Sequence, residues 1–409
     1  MPRAAPRVVL DSRAAARWRR GHPWAYGDAL TATAVAEPGD IVTVEDAAGR
    51  PLGQAFFNPR SRIALRRITT GRETIDAAFW GARLRRALER RASPPGAPPA
   101  PGTGPPAGAR GPQGEGRAFR WSHAEADGLP GLILDVYDRS LVLQTLTLGA
   151  DRLKATWVSL AEEILAPERI IARNDSSMRK MEGLEPSREA LRGEGREAEV
   201  REGDLRFSVD LWDGQKTGLF LDQQENRLRL GGMARGRCLD PFCYQGGFAL
   251  QMAARADSVL AADTSAPALE RAAGNARRNG LEEKVAFECD NAFDLLARLD
   301  RAGERFDTVV LDPPAFARSR ADLQAAVRGY AEINRRAARL LQPGGILLTS
   351  SCSYNLSEEE FVDVVRHAGG EAHRSLRLLE RRGQPADHPI LLEMPESAYL
   401  KGLLLQAAD

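Results

Sequence analysis

The stretch Cys238-Leu-Asp-Pro-Phe-Cys-Tyr-Gln-Gly-Gly-Phe248 decides the fold. A short apolar strand, Arg237 to Asp240, leads into a turn that holds Gly246 and Gly247, and residues 248–254 favour a helix. Paired glycines let the backbone approach a ligand closely, and a helix start offers free amides and the positive end of the helix dipole. This pattern is typical of the first strand-turn-helix unit of a nucleotide-binding sheet. A glycine turn here is also common for purely structural reasons, so the turn alone identifies no ligand.

The next three predicted strands also end at a carboxylate. They are Val259–Asp263, Val285–Asp290 and Phe306–Asp312. Asp263 lies 23 residues after Asp240, a placement that suits an acidic side chain holding ribose hydroxyls. The carboxyl ends of parallel strands meet at one edge of a sheet, where such sheets bind ligands. The sequence therefore predicts an adenosine-containing ligand at that edge. It lacks the three-glycine pattern of dinucleotide sites, so we expect no pyrophosphate cradle.

Several motifs, in this order and spacing, resemble the class I S-adenosylmethionine-dependent methyltransferases. The finer resemblance is to the bacterial 23S ribosomal RNA cytosine-5 methyltransferases of the large subunit, which join an N-terminal PUA domain to a Rossmann-like catalytic domain. It covers nearly the whole chain and implies S-adenosylmethionine as the cofactor. The motifs are Lys216-Thr-Gly-Leu-Phe-Leu-Asp-Gln223, Phe242-Cys-Tyr-Gln-Gly-Gly-Phe248, Asp312-Pro-Pro-Ala-Phe316, Ser351-Cys-Ser353, and Asp387-His-Pro389 with Tyr399-Leu-Lys-Gly402.

The resemblance and the strand pattern together predict an α/β protein with three folded parts. A PUA-like RNA-binding β-barrel is expected at residues 1–72, a small central α/β domain at 118–213, and a Rossmann-like methyltransferase domain at 214–409. Residues 73–117 are predicted to form a helix and a Pro/Gly-rich linker. Within them, residues 94–116 hold 8 prolines and 7 glycines, too little apolar content to pack, which predicts a mobile segment.

Charge is unevenly distributed along the chain. The formal net charge is +1, but residues 1–100 hold 17 Lys or Arg against 9 Asp or Glu. Residues 1–100 therefore carry a net charge of +8, and the remaining 309 residues carry −7. Such a distribution suits a protein that binds a polyanion through its N-terminal part. Solvated faces of an arginine-rich protein are the alternative. The resemblance makes the polyanion 23S ribosomal RNA, with the target base single-stranded or flipped out of its helix.

Basic and aromatic side chains alternate near the N-terminus. Arg17 and Arg20 supply charge for phosphates, and Trp18 and Trp24 supply faces on which bases can stack. The alternative places both tryptophans in the barrel wall. Further along the chain, Arg179 is a candidate for a phosphate contact, although a solvated loop explains it nearly as well.

The four cysteines show no metal-type spacing, so no metal site is predicted. They fit a reducing cytoplasm. No apolar run approaches the length of a membrane span, which predicts a soluble protein with no membrane partner. Whether the chain forms a homodimer is left open by the sequence.

Two reactions compete for a methyltransferase that carries Asp312-Pro-Pro-Ala-Phe316. A nitrogen of guanine or adenine can attack a sulfonium methyl group directly, whereas C5 of cytosine becomes nucleophilic only after a thiolate adds to C6. The sequence supplies a cysteine, Cys352, at the end of the predicted strand 345–351. The resemblance makes Cys352 the attacking thiol and favours cytosine-5 methylation. An inert thiol is the alternative, and an RNA-binding assembly factor without turnover is a rival of another class.

Asp312 is the second predicted catalytic residue. Its carboxylate would accept a hydrogen bond from the cytosine amino group or from the protonated N3 of the adduct. The alternative is that it caps the next turn. Pro313 and Pro314 would fix the backbone beside it, and together with Phe316 they are predicted to contact the substrate base. His388 fits the pKa range of a base for the C5 proton, although a structural histidine is favoured.

The predicted cofactor contacts cluster after the first three strands and in the Lys216–Gln223 motif. Asp240 is expected near the methionine end of the cofactor, Asp263 at the ribose and Asp290 at the adenine. The full set is Asp222, Gln223, Asp240, Phe242, Tyr244, Gly246, Gly247, Asp263, Asp290 and Asn291.

Overall fold

The structure is a computed structural model that describes residues 6–33, 36–92, 116–317 and 321–408. The predicted mobile segment 94–116 lies outside these residues, apart from Gly116. The chain divides into two compact units, and neither is continuous in sequence. The first comprises Met1–Val200, Val209–Leu221 and Ala386–Ser397, and the second comprises Arg201–Ser208, Asp222–Pro385 and Ala398–Asp409. The three boundaries between the four segments predicted above stay predictions.

The first unit begins with a six-stranded mixed sheet. Its strands are β1 (Arg7–Leu10), β2 (Trp24–Ala25), β3 (Leu30–Thr33), β4 (Ile41–Asp46), β5 (Pro51–Phe57) and β6 (Leu65–Thr69). Their order is β2-β6-β5-β4-β1-β3, in which β1 is parallel to β4 and the other pairs are antiparallel. Burial alternates along β4, so that Val42 and Val44 face a core that they share with Leu10 and Phe57.

A helix that the sequence analysis did not predict, α1 (Ser12–Arg19), follows β1. Its start is set by Asp11, whose Oδ1 accepts the N–H of Ala14 at 2.6 Å. The helix buries Trp18, whose indole N–H donates to the Leu52 carbonyl at 3.0 Å. Trp18 is therefore part of the core, as the alternative interpretation held, and is closed to a stacked base.

The rest of the first unit is built on a five-stranded sheet in the order β11-β10-β9-β8-β7. Three buried tryptophans lie in its core: Trp80 and Trp157 on helices and Trp121 on a strand of the sheet. The elements are α2 (Ala77–Ala92), β7 (Ala118–His123), β8 (Leu132–Tyr137), β9 (Ser140–Thr145), α3 (Leu148–Arg152), α4 (Lys154–Leu165), β10 (Arg169–Asn174), α5 (Met178–Met181), β11 (Ser187–Arg192), and the two-stranded sheet of β12 (Glu197–Glu202) and β13 (Leu205–Asp210). Within that two-stranded sheet, residues 201–208 belong to the second unit.

The second unit holds a seven-stranded sheet in the order β16-β15-β14-β17-β18-β20-β19. Its first five strands are parallel, and β20 and β19 add in antiparallel sense. The elements are α6 (Gln224–Gly231), β14 (Arg237–Asp240), α7 (Gly247–Ala253), β15 (Ser258–Asp263), α8 (Ala266–Arg278), β16 (Val285–Cys289), α9 (Ala292–Arg301), β17 (Phe306–Leu311), α10 (Leu323–Leu340), β18 (Leu341–Ser351), α11 (Glu358–Glu371), β19 (Leu376–Arg382) and β20 (Lys401–Ala407).

The parallel strands end at a common edge, as the sequence predicted. Asp240 and Asp263 are the last residues of β14 and β15, and Asp290 follows β16 directly. Asp312 directly follows β17, and Cys352 directly follows β18. The predicted α/β fold class, with a parallel sheet in its C-terminal part, is confirmed.

A buried ion pair anchors the turn after β14. Both the Nε and the Nη2 of Arg227 donate to the Glu202 carboxylate, and the two side chains are 3% and 1% exposed. A Cβ on Gly247 would lie 2.8 Å from Arg227 Cδ. Glycine is therefore required at position 247 for the helix start to approach the guanidinium.

We expect Glu202→Ala to destabilise the second unit strongly, because it leaves a guanidinium buried without its bidentate partner. The expected loss is roughly 3–5 kcal/mol of unfolding free energy. Far-UV circular dichroism in urea should be used, since all six tryptophans lie between residues 18 and 212 and report on the first unit. Glu199→Ala, on the exposed face of the same strand, is the control and should change stability by less than about 1 kcal/mol. Equal effects of the two changes would contradict the anchoring role.

Candidate active site

The turn after β14 places a buried carboxylate beside the start of α7. Gly246 adopts a left-handed conformation, with φ of 85°, and forms the N-cap of α7. Asp240 is fully buried, and its Oδ1 accepts the N–H of Phe242 at 3.3 Å. Its Oδ2 has no hydrogen-bond partner among the described residues. Burial, together with the nearby charges of Asp312 and Asp263, raises the pKa of Asp240 to about 8.

These groups fit S-adenosylmethionine. A buried carboxylate with a free oxygen attracts a cation, and the cofactor carries an α-ammonium and a sulfonium. Asp263 is held in place by the backbone N–H groups of Tyr244 and Ser265, each at 2.9 Å, which leaves lone pairs on both oxygens for ribose hydroxyls. When bound, the cofactor supplies an electrophilic methyl group.

Other predicted cofactor residues have structural partners as well. Tyr244 has a φ of 48°, and its hydroxyl accepts from Gln245 at 3.0 Å. Asp290 lies 3.3 Å from an Arg298 guanidinium nitrogen. The Asn291 side chain caps α9 through the N–H of Phe293. Adenine recognition by Asp290 and a cofactor contact for Asn291 therefore stay predictions.

Asp222 and Gln223 contact different partners. The Tyr399 hydroxyl donates to Asp222 Oδ2 at 2.7 Å, which joins two of the motifs quoted above. Gln223 Nε2 donates to Asp312 Oδ1 at 2.6 Å. Through this bond Gln223 orients the predicted catalytic carboxylate, and a cofactor contact for Gln223 stays a prediction.

A second layer of hydrogen bonds holds Gln223, and the sequence analysis missed it. Asn226 Nδ2 donates to Gln223 Oε1 at 2.6 Å, and Arg382 Nε donates to Asn226 Oδ1 at 3.0 Å. Asn226 lies three residues after Gln223, a spacing that brings two side chains together at a helix start. This spacing is the sequence signal from which the contact could have been predicted. Arg382 lies 156 residues further on, beyond the reach of local patterns.

The four cysteines occupy different environments. Cys238 and Cys243 are buried, and burial raises the pKa of the Cys238 thiol to about 11 and that of Cys243 well above its usual value. Cys289 is exposed and Cys352 is half-buried. Cys352 is thus the accessible thiol that also stands at the strand end beside Asp312, because β17 and β18 are neighbours in the sheet.

The two serines that flank Cys352 belong to a buried hydroxyl network. Ser351 Oγ donates to the Tyr330 hydroxyl at 2.9 Å, and Ser353 Oγ lies 2.9 Å from the same hydroxyl. Ser353 Oγ also accepts the N–H of Ala317 at 3.2 Å. The network therefore ties the Cys352 segment to the loop that follows Asp312.

The three residues predicted to contact the substrate base are placed differently. Pro313 is buried, Pro314 is exposed, and Phe316 is half-buried. The Phe316 ring packs on Tyr330 at a centroid distance of 4.7 Å, so much of it supports the core. Contacts of these residues with a base stay predictions.

Three predicted RNA-binding arginines lie in the first unit. Arg20 is exposed, and Arg17 contacts His22 and lies 3.5 Å from Glu396. Arg179 corrects the prediction: its side chain is 4% exposed and donates to Asp151 at 2.8 Å and to the Thr145 carbonyl. It therefore serves the fold and is closed to a phosphate.

Two further residues of the first unit have structural partners. The Trp24 indole N–H donates to Glu125 at 2.8 Å. His388 is 1% exposed, its Nδ1 lies 2.7 Å from Asp387, and its ring lies 5.1 Å from that of His123. The burial of His388 supports a structural role rather than a role as the base for the C5 proton.

No three His, Cys, Asp or Glu side chains in the described part of the chain are grouped so that they could hold a metal ion. Within those same residues, no helix combines the length and apolarity needed to cross a membrane.

The comparisons with known proteins agree with this site. The family described as S-adenosylmethionine-dependent methyltransferase matches residues 173–406, and a PUA-like domain matches residues 8–70. Ribosomal RNA large subunit methyltransferase I of Pseudoalteromonas translucida is 38% identical over 394 residues, covering 94% of this chain and 95% of that protein. The protein of the same name from Klebsiella pneumoniae is 35% identical over 97% of both chains.

The chain belongs to the ribosomal RNA large subunit methyltransferase I family. The predicted family, the PUA-like N-terminal domain and the S-adenosylmethionine cofactor are confirmed.

Solved structures show the same fold. SMU.776, crystallised as a methyltransferase complexed with SAH, superposes with a TM-score of 0.80 at 17% identity, covering 98% of this chain and 99% of that one. A methyltransferase structure from Streptococcus mutans gives a TM-score of 0.78, also at 17% identity, with the same coverage. At 17% identity these two structures show the fold of this chain, and they carry no information about its substrate.

We expect cofactor affinity to rise with pH, because Asp240 must lose its proton to attract the cofactor's cationic groups. Between pH 6 and 7.5, below its pKa of about 8, the affinity for S-adenosylmethionine should increase by close to tenfold per pH unit. The cofactor's own amino group stays mostly protonated in this window. Isothermal titration calorimetry measures this directly.

Asp240→Asn should bind the cofactor more weakly and lose most of this pH dependence. Asp363→Asn, an exposed aspartate of the same unit, is the matched control and should keep it. A wild-type affinity that does not change with pH would contradict a contact between Asp240 and the cofactor.

Proposed function

We propose that this methyltransferase transfers a methyl group to C5 of a cytosine in 23S ribosomal RNA, through a covalent bond between Cys352 and C6. The observation that carries the proposal is the position of Cys352, a half-buried thiol at the end of β18, next to the strand that delivers Asp312. The relatives named above are methyltransferases of large-subunit ribosomal RNA, which supports the substrate class.

The chemistry of cytosine explains why a thiol is needed. C5 carries no lone pair, so it must be made nucleophilic before it can accept a methyl group. The Cys352 thiolate forms a bond to C6, and the displaced ring electrons make C5 a nucleophile. After C5 has taken the methyl group, a base removes the C5 proton, the C6–S bond breaks and the thiolate is restored.

Asp312 is proposed to stabilise the electron-poor ring that thiol attack requires. Its Oδ1 accepts a hydrogen bond from Gln223, which fixes the plane of the carboxylate. A carboxylate so oriented can accept from the cytosine amino group or from the protonated N3 of the adduct. Because Asn226 and Arg382 hold Gln223 in turn, the carboxylate is preorganised before the base arrives.

The PUA-like domain is proposed to bind RNA through its exposed basic side chains, of which Arg20 is one. Phosphate contacts there would offset the few kcal/mol that removing a base from its stack costs. The target base is proposed to be single-stranded or flipped. A cytoplasmic location and the predicted domain boundaries accompany this proposal, and homodimer formation stays open.

Cys352→Ser should abolish cytosine-5 methylation, with a loss of at least about 1,000-fold, since a hydroxyl is a far weaker nucleophile than a thiolate. Product mass and position should be read by mass spectrometry of 23S rRNA fragments. Cys289→Ala, at the exposed thiol, is the control and should retain activity. RNA that carries 5-fluorocytidine should trap a covalent species with the wild-type protein and none with Cys352→Ser.

Nitrogen methylation of guanine or adenine is the competing outcome. It needs no covalent adduct, so it would survive Cys352→Ser and leave no trapped species. That result, obtained with protein-free rRNA and with large subunits in parallel, would overturn the proposal. An assembly factor without turnover would transfer no methyl group in either assay.

Gln223→Leu should lower the rate of methyl transfer by roughly tenfold to a hundredfold, because it frees the Asp312 carboxylate to rotate. Cofactor affinity should change little, since the Gln223 amide is bonded to Asp312 and Asn226. Single-turnover rates and calorimetry separate the two effects. A large loss of cofactor affinity with an unchanged rate would instead place Gln223 in the cofactor pocket. Gln406→Leu, a half-buried glutamine of the same unit, is the control.

A further inference from the structure

A cysteine nucleophile at neutral pH needs a nearby positive group. A free thiol has a pKa near ~8.5, so only a few per cent is thiolate at pH 7. Helix starts often supply this help, but the helix that follows Cys352 begins with Glu358, Glu359 and Glu360 in its first turn. Those carboxylates oppose a thiolate, so the assistance must come from elsewhere.

Lys401 lies across the strand pair from the Cys352 segment. It is the first residue of β20 and pairs directly with Ser351, the residue before Cys352. Its Nζ donates to the carbonyl of Ser353, the residue after Cys352, at 2.7 Å. Lys401 therefore contacts the residues on both sides of Cys352, through its backbone on one side and its ammonium on the other.

The Lys401 ammonium is buried and has donors to spare. The residue is 8% exposed, and among the described residues its Nζ makes that one carbonyl hydrogen bond and no ion pair. An ammonium carries three N–H donors, so a buried one with a single neutral acceptor is costly unless an anion faces it. Burial lowers the pKa of Lys401, while the charges of Cys352, Glu358 and Glu360 act to raise it.

Cys352 is the anion best able to meet this ammonium. Glu358 is paired with Arg381 at 2.6 Å, and Glu360 accepts from the N–H and the hydroxyl of Ser357, the N-cap of the helix. Tyr330, on α10, is kept neutral because burial raises its pKa. Asp312 is engaged by Gln223.

We infer that Lys401 is the positioning residue that stabilises the thiolate of Cys352. The inference rests on the proposed cytosine-5 chemistry, which gives the thiolate its function. The stabilisation itself is a property of the free protein, without RNA or cofactor. The thiol proton passes to solvent before attack, and the ammonium keeps its own protons. The Ser353 carbonyl fixes the ammonium beside the sulfur, so that no side chain has to move when the substrate arrives.

The test is the pH dependence of thiol alkylation in the absence of RNA and cofactor. Iodoacetamide modification of the Cys352 peptide should be followed by mass spectrometry, with every protein carrying Cys289→Ala to remove the exposed thiol. The midpoint for the parent protein should lie below ~8.5. Lys401→Met should raise it by about one pH unit, which makes alkylation at pH 7 close to tenfold slower. Lys401→Arg keeps the charge and should restore most of the rate.

The urea unfolding midpoint and the affinity for S-adenosylmethionine are measured for each variant as controls that it is folded. If Lys401→Met does not fold, Lys401→Gln carries the same test, since an amide can still donate to the Ser353 carbonyl but brings no charge. A midpoint unchanged in the neutral variants overturns the inference. A midpoint raised equally in Lys401→Arg assigns the effect to packing and overturns it as well.

This readout is independent of the proposed reaction. A shifted thiol midpoint together with a nitrogen-methylated product would uphold Lys401 as the partner of the thiolate and overturn the cytosine-5 assignment. An unshifted midpoint with a Cys352-dependent cytosine-5 product would do the reverse.

Discussion

Parallel pairing of β14, β17 and β18 is the constraint on which the active site depends. Three adjacent strands run in the same direction, so each must deliver its next side chain to the same edge. The side chains that arrive there are Asp240, Asp312 and Cys352, in that order across the sheet. Neighbouring strands are about 4.8 Å apart, which sets the scale on which a methyl donor, the proposed orienting carboxylate and the proposed nucleophile can share one small substrate. The loops refine this arrangement without creating it.

The edge is electrostatically uneven. Asp240, Asp263 and Asp312 crowd negative charge around the cofactor turn, and their mutual repulsion adds to the burial that raises the pKa of Asp240. At the other side of Cys352, Lys401 places a buried positive charge. In the proposed reaction, a cationic methyl donor and an anionic nucleophile must approach the same ring from different directions. In the proposals above, the acidic side chains serve the first and Lys401 serves the second.

Local sequence patterns predicted the parts of this protein that depend on neighbours in the chain. The glycine turn, the carboxylates that end the strands and the position of Cys352 at a strand end all follow from periodicity and short motifs. Contacts between distant segments escaped, because nothing local marks them: Gln223 and Asp312 are 89 residues apart, and Lys401 and Ser353 are 48 apart. Arg179 was misplaced because arginine is usually exposed, whereas here a buried carbonyl and a carboxylate surround it. The helix α1 was not predicted, because its arginines were interpreted as RNA contacts, although Asp11 is a good N-cap.

The interrupted course of the chain affects how the protein can be made. The segment Ala386–Ser397 belongs to the first unit, where the Asp387 carboxylate accepts the backbone N–H of Arg120 at 2.8 Å and its carbonyl accepts from Arg91 at 2.9 Å. A nascent chain meets these partners only after almost all of the second unit has left the ribosome. The first unit therefore stays incomplete until residues 386–397, which follow almost all of the second unit in the chain, have been synthesised.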